Sequence, residues 1–408
     1  MTSVKPRLLI TIYQNPDYYP PTVYAVRILN NYFNIHILCR NTRDPCEEWP
    51  ADVTIERFGE YASMREKETA NPRAKLTEYA RFVARARTLV RKIHPAVIYS
   101  YDPHAFVAAL IAQAGRRSTP VFFHPHELME TQHVPLTSLQ TWVVKAAVLG
   151  TKWAAQVVFP EENRARIWLA LAKDLREPII VPNCPDSDYF RPPADWNDTI
   201  ARRLLAREAV YVGNVGESNG HLEAIRAIAR LDEPVRLRII GSDFPEFEAR
   251  MKALATDLGI GGRVSIDGWL RPAEVVARSA SASLGLSLYK PVTKNLEYMG
   301  SASNKIFEYA AMGLPAVIPD RPSYRDFLGD AEWVEYVDVE DPQSIARAIS
   351  SILGDRERYI AMSLAARRAF ESRYNYKRVF APALERILQL SGVRSPDQGA
   401  GIDENSLL

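Results

Sequence analysis

The stretch SASNKIFEYAAMGLPAVIPD, residues 301–320, decides the fold predicted for this chain. After three small polar positions, apolar residues such as Ile306 and Ala310 recur at helical spacing. Gly313 is of the type that ends a helix, and the apolar run that follows Pro315 is typical of a short buried strand. The stretch therefore predicts a helix that leads directly into a strand of a sheet.

The start of this helix has the features of an anion-binding site. Ser303 or Asn304 is a suitable N-cap, and Lys305 follows directly. Backbone N–H groups at a helix N-terminus attract phosphates, and a lysine adds a full positive charge. Glu308 lies one turn further on, where a carboxylate can accept hydrogen bonds from a ribose diol. An ordinary capped helix beside a sheet is the alternative interpretation.

Residues 304–317, NKIFEYAAMGLPAV, resemble the donor-binding motif of GT-B glycosyltransferases of the group-1 type (glycosyltransferase family 4). In that family the helix start receives the pyrophosphate of a nucleotide-sugar, and the glutamate holds its ribose. The resemblance implies an α/β protein with the GT-B fold, in which two Rossmann-like domains face each other across a cleft and a C-terminal helix crosses back to the first domain.

The same resemblance implies that the protein is a retaining, metal-independent, hexosyltransferase-like enzyme of polysaccharide biosynthesis. Such an enzyme moves a sugar from a nucleotide-diphosphate-sugar to a glycan, a lipid-linked acceptor or a small-molecule acceptor. Two alternatives remain open: a GT-B nucleotide-sugar epimerase, and a non-catalytic GT-B subunit or glycan-binding partner.

Length and composition agree with a two-domain globular protein. The 408 residues exceed one ordinary hydrophobic core, and 47% of them are hydrophobic while 25% are charged. A net charge of +2 gives no overall attraction to nucleic acid. The N-terminus lacks a signal-peptide pattern, and no run reaches 18 apolar residues. We therefore expect a cytoplasmic protein, with peripheral contact to the inner face of the membrane as an open alternative.

The alternation of strand and helix patterns predicts the domain limits. Residues 1–185 are predicted as an acceptor-binding domain and residues 208–372 as the donor-binding domain. A helix over residues 373–391 is expected to pack back on the first domain. The polar tail, residues 392–408, is predicted to be disordered.

Two predicted strands of the first domain end in histidine-containing clusters. The strand at 96–100 is followed by His104, and the strand at 121–123 by His126 and Glu127. Open α/β sheets bind ligands beyond the carboxyl ends of their parallel strands. By resemblance, His126 and Glu127 face the donor sugar or the acceptor, and His104 lines the same cleft. These three are the predicted catalytic residues.

A metal site at the second cluster is not expected. His124 and His126 alternate along the chain, but Pro125 lies between them and no third ligand is apparent. The three cysteines also form no ligand pattern and are too few for a disulfide framework. We therefore expect no metal and no cofactor, with a nucleotide-diphosphate-sugar as co-substrate.

The second domain opens with a strand at 209–212 that runs into the loop GNVGESNG, residues 213–220. Glycines after a strand allow phosphate to approach backbone N–H groups. The resembling family carries an arginine and a lysine where this chain has Asn214 and Asn219. Asparagine can donate hydrogen bonds but brings no charge, so two charge-assisted contacts are lost. This leaves the pyrophosphate to Lys305 and motivates the non-catalytic alternative.

Further donor-site residues come from the resemblance. Gly241 and Ser242 form the next strand–helix turn, and Trp269 lies near the expected base, where stacking and core packing are both open. Gly300 replaces the earlier glutamate of the family's pair. The predicted donor-binding residues are Gly213, Asn214, Asn219, Gly241, Ser242, Trp269, Ser303, Asn304, Lys305 and Glu308.

Two predicted helices of the first domain bear on membrane contact. The helix over 71–93 has a basic face, which we interpret as solvated. The helix over 136–153 carries an apolar side formed by Trp142, Val143, Ala146, Leu149 and Trp153. Core packing is the expected role of that side, with a membrane interface as the alternative.

Overall fold

The computed structural model describes residues 5–42, 45–61, 66, 70–114, 119–129, 136, 138–241 and 244–393. The chain divides into two compact units. The first unit extends to Val181 and includes the end of the chain's last helix from Phe380 onward, and the second unit is Pro182–Val379. Of the predicted tail, residues 394–408 lie outside the described residues.

The first unit contains a parallel sheet of seven described strands in the order β3-β2-β1-β4-β5-β6-β7. The strands are β1 Arg7–Ile12, β2 Asn34–Arg40, β3 Thr54–Phe58, β4 Val97–Tyr101, β5 Val121–His124, β6 Gln156–Phe159 and β7 Ile179–Ile180. The described helices between them are α1 Pro20–Leu29, α2 Pro72–Ile93, α3 Asp102–Ala112, α4 Leu139–Gly150 and α5 Glu162–Ala172. The central strands are apolar almost throughout because a parallel sheet is covered on both faces.

Side chains at alternate positions of this sheet face two different helical layers. Leu9, Ile98 and Phe123 share one core with residues of α2, α3, α4 and α5. Tyr99 faces the other way, and the ring of Phe380 lies 6.5 Å from its ring, centroid to centroid. This alternation follows from the two-residue period of a strand.

The second unit contains a parallel sheet of six described strands in the order β10-β9-β8-β11-β12-β13. The strands are β8 Glu208–Val212, β9 Arg236–Ile240, β10 Val264–Ile266, β11 Leu284–Leu286, β12 Ala316–Pro319 and β13 Val334–Val337. The helices are α6 Trp196–Ala206, α7 His221–Ala229, α8 Pro245–Asp257, α9 Pro272–Ser279, α10 Lys294–Glu297, α11 Asn304–Met312, α12 Pro322–Leu328, α13 Pro342–Gly354, α14 Arg356–Ser372 and α15 Tyr376–Ser391, the last of which continues into the first unit.

Helix α11 and strand β12 form the predicted helix–strand pair of residues 301–320. Gly313 ends the helix with a φ of 66°, and its N–H donates to the carbonyl of Ala310. A Cβ at this position would lie 2.5 Å from the ring of Trp196, so both the backbone and the packing require glycine. The sharp stop places β12 directly after the helix, and Ile306 packs in one core with Ile318.

The core role predicted for the tryptophans of residues 136–153 is wrong. Helix α4 ends at Gly150, and a 3₁₀ turn follows at Thr151–Trp153. Trp142 is 63% exposed, Leu149 69% and Trp153 52%. Ala146 is exposed as well, and of the five residues on the predicted apolar side only Val143 lies in the core, together with Ala147. The prediction therefore placed four exposed side chains in the core.

Candidate functional site

The candidate site of the second unit is centred on the N-terminus of α11. Ser303 is the N-cap residue with extended backbone angles, but its side chain makes no capping hydrogen bond. The Ser303 hydroxyl is buried and has no hydrogen-bond partner among the described residues. Half-buried Asn304 begins the helix. The first N–H groups of any helix lack intrahelical acceptors, so the region offers several hydrogen-bond donors to an anion.

Lys305 places a buried positive charge at this helix start. Its side chain is 4% exposed, and Nζ donates no hydrogen bond to any described residue. The ammonium lies 4.2 Å from the ring centroids of both Tyr211 and Tyr289. Such cation–π contacts offset part of the cost of burying a charge, but they do not replace hydrogen-bond acceptors. Burial lowers the pKa of Lys305 to about 7.

Glu308 lies one turn along α11 from Lys305 and is half-buried. Burial raises the pKa of the Glu308 carboxyl to about 7, and the positive charge of Lys305 acts in the opposite direction. The two groups therefore titrate in the same pH range. Bound anions would hold Lys305 in its charged form, and a diol donating hydrogen bonds would favour the ionised form of Glu308.

Two of the predicted glycines form the wall beside Lys305. Gly213 has a φ of 120°, and a Cβ added there would lie 3.2 Å from Nζ of Lys305. A Cβ on Gly241 would lie 1.9 Å from the carbonyl oxygen of Gly213. Neither position accepts a larger residue without movement of backbone or of Lys305. The structure thus brings Gly213, Gly241 and Lys305 together at the carboxyl ends of β8 and β9.

The two asparagines of the glycine-containing loop have different environments. Asn219 is buried, and its Nδ2 donates to the carbonyl oxygen of Asn214 at 2.5 Å. The side chain of Asn214 is exposed. Asn219 therefore closes the loop on itself, whereas Asn214 is the loop residue with room for a longer side chain.

Sequence reasoning missed three aromatic residues of this site. Besides Tyr211 and Tyr289, His221 at the start of α7 is fully buried, with Nδ1 3.2 Å from the Gly216 carbonyl and its ring 4.1 Å from that of Tyr211. Burial and the nearby charge of Lys305 lower the pKa of His221 to about 3. A neutral imidazole therefore supports Tyr211. A signal was available for Tyr289, which follows strand β11, but Tyr211 lies within a buried strand and His221 at the start of a helix.

Two predicted donor-binding residues, Trp269 and Ser242, remain, together with Gly300, which replaces the earlier glutamate of the family. Trp269 is 47% exposed, so the core-packing alternative for it is wrong, and stacking stays a prediction. Ser242 lies outside the described residues. A Cβ on Gly300 would lie 2.0 Å from the carbonyl oxygen of Ser323, so this backbone has no room for the family's earlier glutamate.

In the first unit, His126 is held from both ring nitrogens. Nδ1 lies 3.0 Å from Oδ2 of Asp102, and Nε2 lies 2.9 Å from the hydroxyl of Thr22. The backbone N–H of His126 also donates to Oδ1 of Asp102 at 2.9 Å. The imidazole stacks on Tyr101 and Tyr19, with centroids 4.7 Å and 4.5 Å away. Asp102 itself has a φ of 62°, a conformation that Asp and Asn adopt more readily than most residues.

This arrangement fixes the orientation of the ring. In the neutral tautomer that donates Nδ1–H to the Asp102 carboxylate, Nε2 is the acceptor for the Thr22 hydroxyl. The geometry resembles a carboxylate–imidazole–hydroxyl triad, but Thr22 is fully buried. Thr22 and Asp102 were not predicted from the sequence, because their contacts with His126 join residues far apart in the chain.

The other two predicted catalytic residues do not join this network. Half-buried His104 stacks on Tyr13 at 5.3 Å and lies edge-on to Tyr79 at 5.6 Å. Burial lowers the pKa of His104 to about 4. Glu127 is exposed. His104 is therefore a neutral ring in an aromatic cluster, and Glu127 is free to meet solvent.

Within the described parts of the chain, no three His, Cys, Asp or Glu side chains come together as a metal-binding group. His124 is fully buried, its Nδ1 lies 2.9 Å from the Tyr99 hydroxyl, and burial lowers its pKa well below the usual value. No helix among these residues is both long and apolar enough to cross a bilayer.

Two sequence comparisons match parts of this chain to known glycosyltransferases. Residues 221–385 match a family model described as glycosyl transferase-like. The lipopolysaccharide core biosynthesis glycosyltransferase LpsE of Rhizobium meliloti (strain 1021) is 31% identical over 144 residues, which cover 35% of this chain and 38% of LpsE. The matched region is thus well under half of either protein.

Several solved structures share the fold along nearly the whole chain. Sucrose-phosphate synthase from Thermosynechococcus elongatus has a TM-score of 0.70 and 16% identity, covering 95% of this chain and all of that one. HepE of Anabaena, solved with UDP and glucose, has a TM-score of 0.68 and 15% identity, covering 94% of this chain and all of HepE. A glycosyltransferase from Rickettsia africae ESF-5 has a TM-score of 0.71 and 13% identity, covering 95% and 98%.

These comparisons bear on two of the predictions. The chain has the α/β GT-B fold with two parallel sheets, as predicted. The predicted resemblance to glycosyltransferases of the group-1 type is also confirmed. Assignment to glycosyltransferase family 4 stays a prediction.

Proposed function

We propose that this chain is a glycosyltransferase that binds the diphosphate of a nucleotide-sugar at the N-terminus of α11 and transfers the sugar to a saccharide acceptor. The observation that carries the proposal is the buried Lys305 ammonium, which has no hydrogen-bond acceptor among the described residues. A diphosphate would supply acceptor oxygens and negative charge in one ligand. Leaving such a charge unpaired is costly, so an anionic ligand would recover that cost on binding.

Other groups of the site suit the rest of a nucleotide-sugar. Gly213 and Gly241 leave the backbone open beside Lys305, as phosphate binding requires. Glu308 is one turn from Lys305, a suitable position for holding a ribose diol. HepE, which shares the fold, was solved with UDP and glucose. These observations support a nucleoside diphosphate sugar, with UDP as the first nucleotide to test.

The acceptor is proposed from the relative. LpsE is named as an enzyme of lipopolysaccharide core biosynthesis. We therefore propose a saccharide acceptor, lipid-linked in preference to small and soluble. From the resemblance, we propose that the part of the first unit around His126 faces the sugar or the acceptor, with the His126 ring held in place by Asp102 and Thr22.

The proposed reaction retains the anomeric configuration and needs no divalent metal. The bond between the anomeric carbon and the diphosphate oxygen breaks, and the acceptor hydroxyl oxygen bonds to the same face of that carbon. The departing phosphate oxygen takes the proton of the acceptor hydroxyl. Lys305 and the start of α11 stabilise the charge that develops on the diphosphate. Turnover unchanged by EDTA, with an α-linked product from an α-linked donor, is the expected result.

The test is a thermal-shift screen of UDP, GDP, ADP and their sugar conjugates. Ligand at 100 times its Kd stabilises the folded state by about 2.7 kcal/mol. We expect one nucleotide series to raise Tm, and Lys305→Met to abolish that shift. Since Lys305→Met also removes a buried charge, Tm of the free protein should stay the same or rise. A variant that had merely unfolded would lose Tm instead.

The matched control is Lys252→Met, which removes a lysine from an exposed ion pair with Glu248. It should leave the nucleotide shift intact. No response of the wild type to any nucleotide, or a full response of Lys305→Met, would contradict the proposed donor site.

A non-catalytic nucleotide-binding subunit is the second candidate. It is favoured by the asparagines at positions 214 and 219, where the resembling family has basic residues. A single-turnover assay separates the two functions. Release of nucleotide from the sugar conjugate in the presence of a saccharide acceptor supports the transferase, and tight binding without any release supports the subunit.

A further inference from the structure

The outward face of α4 carries an unusual set of exposed residues. Trp142, Lys145, Ala146 and Leu149 follow one another at helical spacing and are all exposed. In the 3₁₀ turn that continues the helix, Lys152 and Trp153 are exposed as well. We refer to these six residues as the α4 outer face. The inner side of the same helix, with Val143 and Ala147, belongs to the core of the first unit, whereas no described residue covers the outer face.

The apolar surface extends to the helices on either side. Helix α4 packs against α3 and α5, which carry exposed Ile111 and Leu171. In the described part of the chain, fourteen large hydrophobic side chains are exposed, and seven of them lie between residues 111 and 175. Four of the seven lie on the three helices and Trp153 lies in the 3₁₀ turn after α4. Scattered exposed hydrophobic residues are normal, but this concentration favours an interaction surface.

The charge of the α4 outer face has one sign. The ammonium of Lys152 lies 4.6 Å from the ring of Trp153, and that of Lys145 lies 5.9 Å from the ring of Trp142. The sequence contains no Asp or Glu between Leu136 and Pro160. The surface therefore combines tryptophan, leucine and lysine without a nearby carboxylate in its own segment.

We propose that the α4 outer face docks on an anionic lipid bilayer. Tryptophan favours the boundary between headgroups and acyl chains, and lysines beside it attract anionic headgroups. The lysines argue against a protein partner, because lysine is depleted in the cores of protein–protein interfaces. On the bilayer, the rings and Leu149 lie at the acyl boundary while the ammonium groups of Lys145 and Lys152 reach the headgroups.

Vesicle flotation of the full chain tests this proposal without any turnover assay, so its result is independent of the proposed transferase activity. The probes are phosphatidylcholine vesicles with and without phosphatidylglycerol, at low and high salt. We expect the wild type to float with the anionic vesicles, and to be released by salt because exposed charges are screened. Tryptophan emission should shift to shorter wavelength on binding.

Two double variants separate the two contributions. Trp142→Ser with Trp153→Ser should weaken vesicle binding by roughly tenfold or more, since each ring loses apolar burial. Lys145→Gln with Lys152→Gln should weaken binding to anionic vesicles by about 25-fold, from about fivefold for each basic residue near the surface. Because all four side chains are exposed, Tm should be unchanged in both variants.

The matched controls lie in the second unit. Leu205→Ser with Leu258→Ser removes two exposed hydrophobic side chains, and Arg202→Gln with Lys252→Gln removes two exposed charges. Both controls should float like the wild type. The proposal is overturned if the wild type does not float or if the α4 variants float as well as the controls do. It is equally overturned if the wild type fails to float but self-associates in size-exclusion chromatography and the tryptophan variant does not, because the face then binds a second copy.

Discussion

The polar side chains at the carboxyl ends of the two sheets differ in whether their hydrogen bonds are satisfied. In the first unit, both ring nitrogens of His126 are bonded, to Asp102 and Thr22. In the second unit, the ammonium of Lys305 has two aromatic rings beside it but no hydrogen-bond acceptor among the described residues. A satisfied network stabilises and orients its members, whereas a buried unpaired charge costs stability unless a ligand completes it.

The difference indicates separate roles for the two regions. The network around His126 is preorganised, so its loss should appear in the stability of the protein itself. The Lys305 site is completed only by an anion, so its loss should appear in ligand binding and turnover.

The largest effect is expected from Lys305→Ala on sugar transfer. Removing one preorganised group that stabilises developing negative charge typically costs about 10²–10³ in kcat. The free energy of unfolding should not fall in Lys305→Met, because that variant removes the buried charge but nearly keeps the volume of the side chain, whereas alanine also leaves a cavity. Steady-state turnover of Lys305→Ala and urea unfolding of Lys305→Met measure the two quantities.

Lys252→Ala serves as the control for an exposed lysine. Turnover within a factor of two or so of the wild type for Lys305→Ala would remove that residue from the mechanism. A large loss of stability in Lys305→Met would contradict the comparison of the two regions, since it would show that the folded protein already satisfies the ammonium.

Asp102→Asn is expected to lower the stability of the protein and to leave nucleotide binding unchanged. Asparagine tolerates the positive φ of residue 102, but its amide group turns one of the two acceptors for His126 into a donor. One buried N–H of His126 then loses its partner, which costs about 1–3 kcal/mol of stability. Urea unfolding measures this loss, and nucleotide-induced thermal shifts should persist.

Asp188→Asn is the matched control for that variant. Asp188 forms an exposed ion pair with Lys377, and such pairs contribute about 0–1 kcal/mol. If Asp102→Asn were as stable as this control, the His126 network would not have the structural role assigned to it.

The pH dependence of stability gives a further test of the Lys305 site. The pKa of Lys305 is lowered from 10.5 to about 7 on folding, so the folded state binds fewer protons than the unfolded state between those values, and stability rises with pH there. The pKa of Glu308 is raised from 4.5 to about 7, so the folded state binds more protons in that window, and stability falls as pH rises through it.

The two contributions place a minimum in stability near pH 7. Lys305→Met should remove the rise above pH 7, and Glu308→Gln should remove the fall below it. A shift of one pKa unit corresponds to about 1.4 kcal/mol, and each arm should reach at least that size. The measurement is the free energy of urea unfolding between pH 5 and pH 9, relative to wild type. Parallel profiles for wild type and Lys305→Met would show that the ammonium is not perturbed by folding.

Sequence patterns predicted the helix and the glycine-containing loop of the donor site, but not the aromatic side chains that surround Lys305. Local patterns predicted the helix at 304–312, and the structure places Lys305 beside Gly213. Tyr211 lies within a buried strand, where an aromatic residue is indistinguishable from ordinary core. Its contact with the Lys305 ammonium depends on tertiary packing between residues 94 positions apart, which periodicity does not contain.

The same limit applies to the first unit. An apolar run and a 3.6-residue period identified β5 and α4, but they do not say which of two apolar helix faces is covered. Val143 packs on the sheet while Trp142 faces outward. For His126, the spacing indicated a strand end but not its partners, because Thr22 comes from α1 and Asp102 from α3.

The smallest expected effect comes from restoring charge to the loop that contains the two asparagines. Asn214 is exposed and leaves room for an arginine, whereas Asn219 is buried and bonds the Asn214 carbonyl. Asn214→Arg should therefore strengthen nucleotide binding by about fivefold, the difference of about 1 kcal/mol between a charge-assisted and a neutral hydrogen bond. Asn219→Lys should instead lower Tm, because a buried loop contact is lost and a second ammonium is placed near Lys305.

Isothermal titration with the nucleotide found in the thermal-shift screen measures the first effect, and Asn214→Gln separates side-chain length from charge. If Asn214→Arg and Asn214→Gln bind equally well, the loop does not contact the diphosphate. A gain confined to the arginine variant and lost when Lys305 is replaced by Met would show that both cations act on one anion. Such coupling would show that the Lys305 ammonium and the side chain at position 214 contact the same bound diphosphate.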